Sequence, residues 1–184
     1  MSNEDTRKLL EQWREGRPQD RFAHLVRDTS RALVRGLQMR LNEHDVSFGH
    51  WAFLRVLWFN DGLTQRELSE QVGVTEPTAY TSVKAMEQLG YIERRHLPGN
   101  KKNVHVFLTP VGRALENVLI PLAEEVNRVA VEGMTVEEVM MARKVMLTML
   151  GNLAKDEELA EARDLRVPST RDLAKRHSAK KSTV

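Results

Sequence analysis

The sequence predicts a mainly α chain with a small β-wing, and three observations carry that prediction. Between Gly62 and Thr109, two short helical periods split by a glycine lead into one alternating hairpin. Long helices with apolar stripes flank that stretch on both sides. Capping residues stand at the expected starts: Ser47, Thr64, Thr75, Thr109 and Thr135.

Residues Met1 to Pro18 read as a short amphipathic arm. Leu9, Leu10 and Trp13 share one face and Gly16 closes it, leaving the arm docked on the body or a partner, or loosely held. A long helix follows from Asp20 to Asn42, with Phe22, Leu25, Val26, Thr29, Leu33, Val34, Leu37 and Leu41 forming a stripe wide enough for more than one neighbour. Ser47 caps the next helix, Phe48 to Phe59. It is apolar almost all round and is expected to be buried on most sides.

His50 and Arg55 interrupt that helix. A buried guanidinium must be paired, since breaking a buried ion pair costs roughly 3–5 kcal/mol; the partner is a protein carboxylate or an anionic ligand. Trp51, Arg55 and Trp58 recur at i, i+4 and i+7, so two rings would flank the cation and seat a planar aromatic acid. An internal ion pair beside two core tryptophans is the commoner arrangement, by roughly two to one.

Thr64 opens the first short helix with a capping box, Glu67 reaching back to it. Leu68 and Val72 give that helix an apolar face before Gly73 breaks it. The second opens with Thr75 as N-cap and Pro77 early, where its missing N–H costs nothing. Ala79, Val83, Met86 and Gly90 fall in one narrow arc and should pack inward. Pro77, Thr78, Thr81, Lys84 and Gln88 occupy the opposite arc. Those groups are the donors and acceptors that a surface entering a major groove requires. They are equally those of an ordinary solvated face, and this helix alone does not separate the two readings.

Next, Tyr91–Arg95 and Val104–Leu108 alternate around a turn at Pro98, Gly99 and Asn100. Arg94, Arg95, Lys101 and Lys102 place four cations on this ribbon, which can lie along a phosphate backbone or dip into a minor groove. A lysine-rich hairpin edge also discourages aggregation. Helix, glycine turn, polar helix and basic wing in that order are nonetheless the order of a winged helix-turn-helix.

After the wing, Thr109 and Pro110 open a long helix through Leu115, Val118, Leu119, Leu122, Val126 and Val129. Pro121 should bend it or shift its start, and Gly133 ends it. Thr135 and Glu138 form a second capping box before a last helix carrying Val139, Met146, Leu147, Leu150 and Leu153. So much apolar surface beside a small winged domain calls for a dimer interface. From Ala160 the chain turns polar and basic and reads as a flexible tail.

Of the 184 residues 41% are hydrophobic and 29% charged, values of a soluble globular protein. No apolar run approaches membrane-spanning length and the polar start lacks a signal-peptide core, so a cytoplasmic location is expected, with no membrane partner. The absence of cysteine excludes disulfides, thiol nucleophiles and thiol-based oxidation sensing. Net charge is only +2; a basic wing and an acid-rich Glu124–Glu161 segment divide it into a face phosphate attracts and a face it repels.

The stretch Ser47–Thr109 resembles the MarR family of bacterial transcriptional regulators. The resemblance rests on Leu63-Thr64-Gln65-Arg66-Glu67-Leu68-Ser69, Leu89-Gly90-Tyr91-Ile92-Glu93-Arg94 and Leu108-Thr109-Pro110-Val111-Gly112, with the flanking helices in order over roughly residues 20 to 155. It implies a winged helix-turn-helix plus helical dimerisation domain. On that division 1–18 is the arm, 19–46 and 110–155 the dimerisation region, 47–109 the DNA-binding domain, and 156–184 the tail. It also implies a homodimer on a palindromic operator, with half-sites about one helical turn, ~34 Å, apart.

DNA contacts would then come from Thr75, Pro77, Thr78, Thr81, Lys84 and Gln88 on the recognition helix (Glu76 to Leu89), and from Arg94, Arg95, Asn100, Lys101 and Lys102 on the wing. Family members are commonly repressors released by a small, often aromatic or phenolic, ligand bound near the helix that here carries His50, Trp51, Arg55 and Trp58. Benzoate-, hydroxycinnamate- or nicotinate-type acids would suit those side chains. The wing departs from the family pattern: Asn100-Lys101-Lys102 stands where Asp-x-Arg is usual. Lysine lacks the planar five-donor fork, so groove readout by Lys102 should be weaker and more purely electrostatic.

The competing reading is a helical dimer serving as a protein-interaction scaffold. No acidic substitutions on the recognition face and no loss of wing cations support it. An enzyme is the least supported class, since no glycine-rich phosphate loop, nucleophile motif or metal-ligand pair is present, and no cofactor is expected. His96 and His105 on the wing strands suit backbone or phosphate contact better than metal.

Overall fold

The structure, a computed structural model, describes residues 4–16 and 22–163; most of the basic tail read from the sequence lies outside the described residues. Its elements in order are α1 (Glu4–Glu15), α2 (Phe22–Asn42), α3 (Phe48–Phe59), α4 (Gln65–Val72), α5 (Glu76–Gln88), β1 (Ile92–Leu97), β2 (Asn100–Leu108), α6 (Pro110–Ala114), α7 (Glu116–Ala130) and α8 (Val136–Ala162). Two compact units result, Met1–Glu132 and Gly133–Val184.

The core of the first unit is built where the periodicities point. Leu41 of α2, Phe53, Leu54 and Leu57 of α3, Leu68 of α4, Ala79, Val83 and Met86 of α5, Val106 of β2 and Leu119 of α7 are all buried in one cluster. α1 is docked rather than loose. Trp13 Nε1 donates to Asp28 Oδ2 at 3.3 Å, and Arg35 Nη2 donates to Thr6 Oγ1 at 2.9 Å. Asp28 is a buried carboxylate, and Arg27 at 3.0 Å supplies the countercharge that such burial demands.

Both capping boxes form. Thr64 Oγ1 accepts from Glu67 N at 3.3 Å while Glu67 reaches back to Thr64 N at 2.8 Å. Thr135 and Glu138 repeat the exchange at 3.2 and 2.8 Å. The helix after the wing differs from its expectation: it divides at Leu115 into α6 and α7. Pro121 lies within α7 and has no N–H to give, so the carbonyl one turn back loses its donor and the ladder is weakened from that side. Gly90, expected inward, is exposed at φ +74°, ending α5 instead of packing under it.

α3 has the predicted bounds but not the predicted burial. Arg55 is exposed, and Phe59 is 87% exposed. A twelve-residue helix can turn one edge to solvent, and doing so spares the guanidinium the cost of desolvation. The stacking expected around it is absent as well. Trp51 and Trp58 pack on each other edge to face, with centroids 5.5 Å apart at 67°. Trp58 Nε1 also donates to Gly112 O at 2.9 Å, which binds α3 to α6.

Candidate nucleic-acid interface

The helix-turn-helix is set by its turn. Gly73 takes φ +77° at the end of α4, and its N–H reaches Ser69 O at 3.0 Å while Val74 N reaches the same carbonyl at 3.0 Å. That left-handed step costs an L-residue roughly 1–2 kcal/mol and costs glycine nothing. The chain then reverses into α5 with its apolar arc inward. Thr75, Pro77, Thr78, Thr81, Lys84 and Gln88 are all exposed. Thr75 Oγ1 and Thr78 Oγ1 lie 2.9 Å apart, and Thr81 Oγ1 donates to Pro77 O at 3.1 Å. The face is polar and held in shape, and Lys84 is its cation.

Tyr80 lies on the same arc, half exposed, and sequence reasoning left it out. Its spacing of four from Lys84 and three from Pro77 is the signal that would have found it.

The wing is longer than expected. β1 and β2 pair antiparallel from Ile92↔Leu108 to His96↔Val104, then jump to Leu97↔Asn100. A short bridge from Thr64 to His105 adds the segment before α4 to the ribbon's edge. The two wing histidines do serve backbone. His96 Nδ1 donates to Asn103 O at 3.0 Å and His105 Nδ1 to Gly62 O at 2.7 Å.

The wing arginines separate. Arg94 does not face phosphate: its Nε and Nη2 grip Glu87 Oε2 at 3.0 and 2.6 Å, tying β1 to the last turn of α5. Alternation explains the difference, since Arg94 lies on the strand face turned to α5 and Arg95 on the other. Arg95 is 58% exposed at its side chain, lies over the Phe107 ring at 3.9 Å, and has Glu93 only loosely at 3.8 Å. The side chains of Asn100, Lys101 and Lys102 lie outside those described.

The Arg94 guanidinium holds the Glu87 carboxyl below the ordinary glutamate value of 4.5. A folded pKa below the unfolded one gives stability that is fully present above the ordinary range and lost as pH falls through the depressed value. The same sign holds for Glu125 beside Arg40. Urea unfolding should therefore show the chain losing stability on acidification below about pH 4.5. Glu87→Gln should be less stable than the parent at pH 7, with the gap closing in acid; a pH-independent gap would remove the ion pair as its cause.

Asp61 is the junction that sequence reasoning missed. Its Oδ1 accepts from Leu108 N at 2.9 Å and Gly62 N at 3.0 Å, while Oδ2 takes Arg113 Nη2 at 2.6 Å. The end of α3, the returning wing strand and α6 thus meet on one carboxylate.

The four residues expected around a ligand do not converge. His50 is half buried, its Nδ1 has no partner, and burial pushes its pKa down, so the ring is neutral. Trp51 is core. Arg55 and Trp58 instead line a shallow cavity of about 480 Å³ with Phe59, Gln71, Glu116 and Ile120.

Comparison with known proteins agrees with this geometry. The family model described as "MarR family" matches residues 46–104. The HTH-type transcriptional regulator TtmR of Methylorubrum extorquens is 27% identical over 138 residues, 75% of this chain and 67% of that protein. A MarR-type regulator from Listeria monocytogenes, solved with a 26mer DNA, superposes with TM-score 0.66 at 25% identity, covering 82% of this chain and 99% of that one. BpsR of Bordetella bronchiseptica, whose DNA binding is regulated by 6-hydroxynicotinic acid, has TM-score 0.62 at 20% identity over 69% of this chain and 96% of its own. Its helix-turn-helix, its wing and the exposed polar arc of α5 are thus those of a chain that is similar, over residues 46–104, to the MarR family of DNA-binding transcriptional regulators.

Proposed function

We propose that the protein is a homodimeric repressor of a catabolic or efflux operon, working in the cytoplasm and released from a palindromic operator by a small aromatic acid. One observation carries the DNA-reading part. Every residue of the polar arc of α5 is exposed while Ala79, Val83 and Met86 behind it are fully buried. The helix is thus fixed in rotation, with hydroxyls, an amide and Lys84 turned outward as a groove-reading surface requires.

Pairing is supported by apolar surface that the chain leaves uncovered. Met140, Met141, Leu147, Leu150 and Leu153 of α8 are each at least half exposed. Separately, a groove of about 840 Å³ between α2 and α7 is lined by Leu33, Met39, Val126 and Val129. Exposed apolar surface of that kind is what a subunit interface covers. Two subunits related by a twofold axis would then read two half-sites.

Release by ligand is a population shift toward a dimer whose two α5 helices are wrongly spaced for adjacent grooves. Arg55 remains the best anchor for an acid. It carries no hydrogen bond or ion pair to a described residue, and the Trp58 and Phe59 rings stand beside it in the same cavity. The DNA binding of BpsR, a protein of the same fold, is regulated by 6-hydroxynicotinic acid, which supports an effector of that chemical class here.

Fluorescence anisotropy with duplexes selected from a random pool tests the reading. Binding should be specific and fall steeply between two salt concentrations; equal affinity for all duplexes would leave a protein-interaction scaffold as the better account. A thermal-shift screen of benzoates, hydroxycinnamates and nicotinates should find a compound that raises the melting temperature. Arg55→Ala should keep duplex binding and lose the response to that compound; an unchanged release would remove Arg55 from the mechanism.

A further inference from the structure

We infer that Glu87 and Arg94 are positioning residues for the wing. Their ion pair fixes the angle at which the ribbon leaves the recognition helix, and so the spacing between the groove that α5 reads and the DNA backbone that the wing touches beside it. The inference rests on the DNA-reading role of α5 and adds how the second contact is kept in register with the first.

The pair lies at one particular rung of the ribbon. Arg94 of β1 stands opposite Val106 of β2. On the far edge of that rung Gly62 N donates to Val106 O at 3.0 Å and Val106 N donates to Leu63 O at 2.9 Å, so β2 is tied to the segment before α4. Among the described residues the sheet has two strands, and β1 has no strand on its own outer edge. Side chains make the tie there instead. Arg94 Nε and Nη2 both donate to Glu87 Oε2, at 3.0 and 2.6 Å, in the last turn of α5. Each side chain is about two-thirds buried, which shields the pair from the screening that weakens exposed ones.

Below this rung the ribbon is core: Tyr91 and Ile92 are buried. Above it Arg95, His96 and Leu97 are all exposed. The pair therefore sits where the wing leaves the body. At ~3.3 Å per residue the turn at Pro98 and Gly99 lies roughly 15 Å past it. A pivot of ~10° at the pair would move that turn by ~2.5 Å, nearly the length of a hydrogen bond. That is enough to lose a phosphate contact. An arginine whose donors are taken by Glu87 has little left for phosphate, so its effect on DNA comes through the wing it steadies.

The test uses the full chain and a duplex selected by it from a random pool, in two lengths. One reaches about five base pairs beyond the half-sites and the other ends at their edges. The parent should bind the longer about tenfold more tightly, the order expected when each subunit gains a phosphate contact. Glu87→Gln should cut that ratio to about threefold or less and leave the base preferences inside the half-sites unchanged. Glu87→Arg should bring it near one, and Glu87→Arg joined with Arg94→Glu should restore most of it. Ratios are read at a temperature where each variant keeps the parent's circular dichroism, because a merely structural pair would lower the unfolding midpoint and leave the ratio alone. A Glu87→Gln chain with the full ratio would overturn the inference by itself, even if the swapped pair failed to fold. A swapped pair that folds and restores nothing would do the same. A parent indifferent to duplex length would overturn it while sequence recognition stood. A parent without any sequence preference would instead overturn the DNA-reading role of α5, and the inference with it.

Discussion

Gly112→Ala should lose ~3 kcal/mol or more of folding stability, a large part of the ~5–15 kcal/mol that holds a typical domain together. A Cβ at Gly112 would lie 1.9 Å from Tyr91 O and 2.9 Å from Tyr91 C. Those are backbone atoms, so no side chain can swing aside. Nor is the Tyr91 carbonyl free to retreat, because it accepts from Thr109 N and from Thr109 Oγ1, both at 3.1 Å. The strain would reach α3 as well, through the Trp58 bond to the Gly112 carbonyl. Urea unfolding followed by circular dichroism measures the loss. Gly151→Ala in α8, where nothing lies within 4 Å of the new methyl, is the control and should be neutral or stabilising by up to ~1 kcal/mol. Equal midpoints for the two variants would show that α6 does not pack on Tyr91 in solution.

Lys84→Glu should weaken duplex binding ~100- to 1,000-fold at low salt. Lys84 is the cation at the middle of the exposed α5 arc, and reversing its charge replaces one phosphate attraction by a repulsion in each subunit. In the proposed dimer the change counts twice. Lys84→Gln should be milder and should lower the salt slope by about two, near one per subunit. The fold is not at stake, because the residue is exposed. Arg94→Gln offers the contrast: its carboxylate partner is within the chain, so it should lose stability before it loses affinity. Affinity titrations at several salt concentrations, beside unfolding midpoints, separate these effects. Undiminished binding by Lys84→Glu would mean that α5 does not lie in a groove.

Apart from the division of the helix after the wing at Leu115, helix existence, helix order and the hairpin were legible in the chain itself, because they depend on neighbours within one or two turns. The capping boxes at Thr64 and Thr135, the left-handed stop at Gly73, the bounds of α3 and the inward arc of α5 follow from spacing alone. So does the resemblance to the MarR family, through short motifs whose residues have local work to do. The Leu108–Gly112 motif is the instructive case. As sequence it marks the return from the wing into a helix. As structure its glycine exists because a carbonyl from the other end of the wing occupies the space a side chain would need.

What the tertiary structure alone decided is which cations are free. Arg55 sits in the most apolar helix of the chain and reads as buried, yet α3 turns that edge outward. Arg94 and Arg95 are adjacent and read as equivalent wing cations; one braces α5 and the other rests on an aromatic ring. Asp61, which no sequence pattern singles out, joins three elements. Periodicity reports the side of an element on which a residue lies, whereas an ion pair depends on what comes to meet that side from remote parts of the chain. Local pattern therefore determined the helix-turn-helix and its wing, and long-range packing determined which of their charges stay exposed.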